Sequence, residues 1–212
     1  MNKLPLILIG GGGHCRSCID VIELEGRYSI EGILDNKEKA GQQVDGYTVL
    51  GNDELIDEFA AKKYHFLITV GQIKSAETRI RIFKQIEKCD AIMATVISPK
   101  AYVSANAKLG AGTIVLHGSV INAGASIGAN NIINSTSLIE HDVKVGNHVH
   151  VSTGAIVNGD CSIGDKTFIG SGSVIANNIR IGDNIIIGAG SVVLNDIMEP
   201  GIYAGNPCKK IK

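Results

Sequence analysis

An imidazole set between two carboxylates is the most chemically capable feature of this chain. It lies in the run Ile133-Asn134-Ser135-Thr136-Ser137-Leu138-Ile139-Glu140-His141-Asp142. A neighbouring carboxylate can hold His141 in one tautomer and raise its basicity, which suits a general base that takes a proton from an attacking nucleophile. The same residue also reads as an exposed histidine with no chemical task, and the local sequence leaves both open. A second constellation opens the chain, where the apolar run Leu4–Ile9 ends in Gly10-Gly11-Gly12-Gly13-His14. Backbone N–H groups of such a turn, at the start of a helix, suit a phosphate. Asp35 ends the next apolar run, about 20 residues on, where a carboxylate accepts from a ribose hydroxyl. The dinucleotide fingerprint is incomplete, because Cys15 stands where its third glycine belongs. A half-site for one nucleoside diphosphate is the expectation. The alternative is a glycine turn that only packs helix on strand.

Other chemistries are poorly supplied. The five cysteines, at 15, 18, 89, 161 and 208, are an odd number and no disulfide framework. Cys15-Arg16-Ser17-Cys18 has the spacing of a redox dithiol, but buried or idle thiols are expected, and no second such pair completes a zinc site. A formal net charge of −1, with scattered lysines and arginines, argues against a nucleic-acid or anionic-membrane surface. No apolar run approaches the ~18 residues of a membrane span, and the pattern of a secretory leader is missing. A cytoplasmic protein is expected, with no membrane or nucleic-acid partner.

The elements that must position these groups form a repeat. From Ile97 through Val103, Leu109 and Val115 to Val193, an aliphatic residue falls at every sixth position with no insertion. A period of six fits neither a helix nor a lone amphipathic strand; it fits a chain that turns a corner every six residues and stacks each coil on the last. The aliphatics point into a dry interior. Glycine often follows them (Gly110, Gly128, Gly146, Gly164, Gly170, Gly182, Gly188), and is expected to supply corners with positive φ. Apolar residues also fall at outward positions (Ile114, Val120, Ile132, Ile156, Ile186, Val192), which predicts burial against identical neighbours in a closed threefold homo-oligomer.

The repeat resembles the bacterial transferase hexapeptide family, whose left-handed parallel β-helix has three hexads per coil. The hand is implied by the resemblance alone, since ordinary crossovers are right-handed. Three hexads per coil would set Gly159 over His141, leaving room for a thin substrate and an N–H for a developing oxyanion. The same count keeps His117, His141, His148 and His150 from converging, so no metal is expected, and His117 and His148 are expected to be exposed and idle.

Before the repeats, residues 1–96 alternate short apolar runs with helical stretches. Strands are expected at Leu4–Ile9, 29–34, 65–70 and 90–96, with helices after His14, at 53–63 and at 75–88. That order predicts a small parallel sheet with helices on its faces. The fold class is therefore an α/β half-Rossmann domain (1–96) followed by a left-handed parallel β-helix (97–212).

The Gly-rich opening with His14, the Ile-Glu-His-Asp segment, His150 nine residues later and the closing Gly205-Asn206-Pro207-Cys208-Lys209 occur together. In this combination the whole chain resembles the sugar O- and N-acetyltransferases of the hexapeptide transferases. The resemblance implies an acetyl-CoA-dependent enzyme of polysaccharide biosynthesis, trimeric, with active sites between neighbouring prisms. It implies that His141 is the general base, Asp142 orients it, and Gly159 donates to the thioester carbonyl. His150 would line the acetyl-CoA site and Asn134 the acceptor sugar, while Gly12, Gly13, His14, Asp35 and Asn36 would hold the nucleotide. The expected reaction is N-acetylation of a nucleotide-linked 4-amino-4,6-dideoxyhexose. O-acetylation of sialic acid is the alternative within the class, and a non-catalytic trimeric scaffold or ligand sensor the alternative outside it.

Overall fold

The computed structural model describes residues 3–212. Its first part is a six-stranded sheet built from β1 (Leu4–Ile9), β2 (Tyr28–Leu34), β3 (Gln43–Val44), β4 (Tyr47–Gly51), β5 (His65–Ile68) and β6 (Ile92–Met93). The strand order is β3-β4-β2-β1-β5-β6, and every pairing is parallel except that of β3 with β4. Side chains of β1 alternate between the two faces. Leu6 and Leu8 pack with α1 (Gly13–Glu25), whereas Ile7 and Ile9 pack with α2 (Ile56–Ala61) and α3 (Glu77–Lys88). A parallel sheet covered on both sides accounts for apolar strands with no polar alternation.

Two details of this domain differ from expectation. The β3–β4 hairpin was not foreseen, although Asp45-Gly46 between Val44 and Tyr47 is a strong two-residue turn signal, with φ of 46° and 88°. The expected strand at 90–96 is split. Its first piece, β6, closes the small sheet; its last residue begins Val96–Ile97, which opens the second part of the molecule.

That second part is a three-sided parallel β-helix. Two-residue strands recur every six residues, and each pairs with the strand eighteen residues on, as in Ile114↔Ile132 and Val120↔Leu138. Backbone N–H groups of one coil donate to carbonyls of the next, for example Ile132 N to Val149 O at 2.9 Å. The hexad aliphatics fill the interior, fully buried from Val115 to Val193. Each such side chain contributes on the order of 2 kcal/mol of transfer free energy. Hydroxyls at the fifth position of the hexad satisfy corner carbonyls: Thr113, Thr167 and Ser173 each donate to a glycine carbonyl at 2.9 Å.

The glycines after the aliphatics have a different cause from the one expected. Positive φ falls two residues later, at every sixth position from Gly112 to Gly190, and is often carried by Asn or Asp (Asn130, Asp142, Asp160, Asn178, Asn184). The seven glycines instead allow coils to approach. A Cβ on Gly164 would lie 2.5 Å from the carbonyl carbon of Gly182, and one on Gly128 would lie 2.6 Å from Gly146 O.

The small domain covers one face of this prism. Ile114 and Ile132, expected to face a neighbouring protomer, are fully buried in the core that α1 shares with Val96 and Leu116. The outward column of the five-stranded face is polar: Lys108, Ser126, Lys144, Ser162 and Arg180. On the six-stranded face the column Tyr102, Val120, Leu138, Ile156, Val174, Val192 is apolar and partly or largely exposed.

Two alanine substitutions separate close approach from backbone strain. Gly164→Ala meets the next coil and should cost about 3 kcal/mol, near the top of the overpacking range. Gly154→Ala meets nothing nearer than 3.8 Å and carries only the strain of φ +65°, about 1 kcal/mol. Thermal unfolding should show the difference, at roughly 2–4 °C per kcal/mol for a chain of this size. Equal shifts in Tm would contradict the close-approach account.

Candidate active site

His141 stands at a corner of the prism, two residues beyond the buried Ile139, and its side chain is 55% exposed. The following residue, Asp142, takes the left-handed backbone (φ 59°) that the corner requires and that Asp tolerates. Its Oδ2 lies 3.0 Å from His141 Nδ1. The Nδ1–H therefore donates to the carboxylate, and Nε2 is left with the lone pair. The Asp142 hydrogen bond, with the charges of Asp160 and Glu140, raises the imidazole above its ordinary pKa. Glu140 itself is tied to the coil below, accepting from Asn122 Nδ2 at 2.8 Å.

Gly159 lies against His141 as the eighteen-residue count requires, but the room it leaves is taken by the imidazole. A Cβ at 159 would sit 2.6 Å from both Cε1 and Nε2 of that ring. The glycine thus makes space for the His141 imidazole. Its carbonyl accepts from Asn178 N at 3.0 Å, while its N–H has no acceptor among the described residues. His141, Asp142 and Asp160 also present ligand atoms within 4.8 Å of one another, all exposed. Both carboxylates act on the imidazole and are explained by that.

Asn134 occupies the preceding corner of the same coil. Its Oδ1 accepts from Ser135 N at 2.8 Å, and its Nδ2 donates to His150 Nε2 at 3.1 Å. His150 is buried, edge-on to Phe168 at 5.2 Å, and donates through Nδ1 to Gln72 O at 2.5 Å. Burial lowers its pKa to about 4, so it is a neutral imidazole with a defined tautomer. Asn134 and His150 are thus brought together. They stand one corner away from His141 of the same chain.

At the other end, the glycine loop joins β1 to α1. Gly10 has φ +107°, and a Cβ there would come within 2.5 Å of Val70. Gly12 and Gly13 are exposed, and a Cβ on either would meet nothing within 4 Å. Gly12 N-caps α1 without a side-chain bond, and Cys15 N donates to the Gly12 carbonyl at 3.0 Å, which leaves the N–H groups of Gly13 and His14 open to an anion. His14 behind them is largely buried, and burial together with the Arg79 charge lowers its pKa to about 3.

Asp35 has a structural task. Its carboxylate accepts from Gly11 N and Asn36 N, both at 2.7 Å, and from Lys39 Nζ at 2.9 Å. Burial alone would raise this carboxyl, but those three donors outweigh it and hold the group below its usual range. The residue ties the glycine loop to β2. Beside it opens a cleft of about 470 Å³ lined by Asp35, Asn36, Asn52, Asp53, Arg81 and Gln85.

Several residues do more, or less, than their sequence suggested. His117 is not idle: it bridges Ser98 Oγ (2.5 Å) and Asp20 Oδ2 (2.6 Å), joining the first coil to α1. Hydroxyl, imidazole and carboxylate align there, but Ser98 is buried and its Oγ already accepts from Lys100 N, so the trio is a strut. His148 is half-buried against Phe83 and its Nδ1 accepts from Asn130 Nδ2 (2.9 Å), again at the join between the two parts. Cys15 and Cys18 are fully buried, and burial pushes the Cys15 thiol up to about 11 and raises Cys18 as well, the reverse of a reactive pair. Gln72 and Arg79 carried no sequence signal: their role depends on contacts with residues more than fifty positions away.

Residues 5–86 match the PglD N-terminal domain family, and residues 160–195 match the bacterial transferase hexapeptide (six repeats). No curated protein matches the sequence as a relative. Among solved structures, the acetyltransferase domain of PglB from Neisseria gonorrhoeae FA1090 is 28% identical with a TM-score of 0.92, over 99% of this chain and 100% of that one; it is also known in complex with acetyl coenzyme A. PerB from Caulobacter crescentus, in complex with CoA and GDP-perosamine, is 28% identical with a TM-score of 0.91, over 98% of this chain and 97% of that one. Variants of that perosamine N-acetyltransferase with a histidine changed to Asn or Ala are likewise complexed with CoA and GDP-perosamine. WeeI from Acinetobacter baumannii AYE, 22% identical with a TM-score of 0.87 over 99% of this chain and all of its own, shares the fold. A PglD-type α/β domain joined to a left-handed β-helix of hexapeptide repeats, similar over its whole length to sugar acetyltransferases, makes this chain an acyltransferase.

Proposed function

We propose that the chain transfers the acetyl group of acetyl-CoA to the 4-amino group of a nucleotide-linked 4-amino-4,6-dideoxyhexose. The observation that carries this is the His141 imidazole, held at Nδ1 by Asp142 and stacked on Gly159 with Nε2 as its free base. The amine nitrogen attacks the thioester carbon as Nε2 takes its proton, directly or through one water. The tetrahedral oxyanion is stabilised by the Gly159 N–H, the carbon–sulfur bond breaks, and coenzyme A leaves. No acetyl-enzyme is required, because both substrates are held together. The glycine loop would hold the diphosphate, with Asp35 and Asn36 at the ribose and base and Asn134 at the sugar. His150 would line the acetyl-CoA site through its contact with Asn134. The chemistry needs no metal.

The site is completed between subunits of a threefold assembly. The apolar six-stranded face is bordered by the Asn134 corner on one edge and the His141 corner on the other. Threefold packing of that face would bring one protomer's His141 to the Asn134 side of its neighbour, which accounts for a catalytic base left exposed in the single chain. Light scattering should give the mass of three chains. Leu138→Glu, a charge in the middle of that face, should shift the assembly to monomers and remove activity together; an active monomer would contradict the arrangement.

His141→Asn should lower kcat by about 10²–10⁴-fold, the usual span of general-base catalysis, and spare acetyl-CoA binding. The loss should shrink as pH rises through the pKa of the sugar amine. A hydroxyl acceptor would show no such recovery, which separates N- from O-acetylation. In the wild type, kcat/KM should rise with pH through a value above the ordinary imidazole pKa, since the base must be neutral and Asp142 raises it. Asp142→Asn should move that rise to lower pH; an unmoved profile would take His141 out of the mechanism.

The nucleotide is tested separately. UDP, dTDP, GDP and CMP-sialic acid are compared by the Tm shift each produces, since a ligand that binds only the folded state raises it. One of the three diphosphates should stabilise the protein. Gly12→Ala should abolish that shift with the Tm of the free protein unchanged, because the added Cβ meets no protein atom within 4 Å. An undiminished shift would place the nucleotide elsewhere.

A further inference from the structure

The two parts of the molecule meet through a line of polar contacts centred on a buried cation. Arg79, on α3, is 1% exposed. Its Nη1 donates to Ile68 O at 2.8 Å and Val70 O at 2.7 Å, at the end of β5. Its Nη2 donates to Asn130 O at 3.2 Å and Asn130 Oδ1 at 2.5 Å, on the prism. None of these acceptors is a carboxylate, and Nε has no partner among the described residues. A guanidinium buried without a counter-charge is costly, and only its planar fork can span both sets of acceptors; a lysine ammonium cannot.

The contacts continue in both directions. Asn130 Nδ2 meets His148 Nδ1 at 2.9 Å, Gln72 Nε2 donates to His148 O at 2.8 Å, and Gln72 O accepts from His150, which holds Asn134. On the other side Val70 packs on Gly10, and Thr69 Oγ1 donates to Gly10 O at 2.6 Å. One end of the line is therefore the backbone of the glycine loop. The other end is the pair Asn134–His150.

We infer that Arg79 and Asn130 are positioning residues that fix the separation between the glycine loop and Asn134–His150, so that the diphosphate and the amine of one acceptor are held in register. This rests on the reading that the first domain holds the nucleotide. An acceptor anchored at its diphosphate cannot compensate for a shift of the domain, and misplacement by about 1 Å can cost 10²-fold in rate. An acceptor without the nucleotide is not anchored there and is indifferent to the shift.

The test compares kcat/KM for two forms of one acceptor: the UDP-, dTDP- or GDP-linked 4-amino-4,6-dideoxyhexose that the wild type uses best, and the methyl glycoside of the same sugar. Asn130→Gly tolerates the native φ of 55° and removes only the side-chain contacts, leaving both Arg79 bonds to β5 in place. Arg79→Lys keeps the charge and loses the fork. Both variants should lose roughly 10–10²-fold of the preference for the nucleotide-linked form, mainly in kcat, with methyl glycoside turnover unchanged in Asn130→Gly. Equal losses on both acceptors, as general destabilisation would give, or an undiminished preference in Asn130→Gly, would overturn the inference. A wild type with no preference for the nucleotide-linked form would instead remove the nucleotide reading, and this inference with it.

Discussion

Backbone hydrogen bonds between successive coils set the terms for the rest of the molecule. Each coil of eighteen residues donates to the next in register, so the neighbour of any prism residue along the stack is decided by counting. An insertion would put an aliphatic outside and a polar residue inside for every coil that followed. The glycines where coils touch, the left-handed residue at each corner and the hydroxyls that satisfy corner carbonyls are all consequences of this register. So is the position of the proposed base: His141 lies on Gly159 because one coil separates them and only glycine leaves room for an imidazole there.

A prism so regular offers few distinct sites, and the differences among its faces create them. One face is covered by the small domain through α1, one is polar, and one carries an apolar column. The proposed site residues lie at the edges between them. The covered face brings the glycine loop and Gln72 to the side of His150 and Asn134, while His141 stands at the far edge of the apolar face. Asp142 is set against the imidazole by the left-handed backbone that every corner from Gly112 to Gly190 takes, so its position follows from the repeat.

Much of this was legible in the residues. The period of six identified the inward aliphatics, and the count of eighteen paired His141 with Gly159 before any coordinates. Composition also marked the glycine loop and the Asp35 that closes on it. What escaped is what depends on contacts across the fold. Outward apolar residues look alike in sequence, yet Ile114 and Ile132 lie under α1, whereas Val120 and Ile156 lie on an open face. His117, His148, Gln72 and Arg79 act at the join of the two parts, where no local pattern announces a partner. The glycines were located correctly for a reason that was only half right: closeness of coils, rather than positive φ, selects those after the aliphatics.

On the proposed reading, the assembly holds an acetyl donor and an acceptor at the same time with the His141 base between them, and no acetyl-enzyme is needed. Cysteines are the most nucleophilic side chains available, and all five have raised thiol pKa values, with Cys15, Cys18 and Cys161 buried as well. Initial velocities measured while acetyl-CoA and the nucleotide-linked amino sugar are varied together test this most directly. Direct transfer within a ternary complex predicts double-reciprocal lines that intersect and a protein that carries no acetyl group after incubation with acetyl-CoA alone. Parallel lines, with an acetyl group found on the protein by mass, would contradict it.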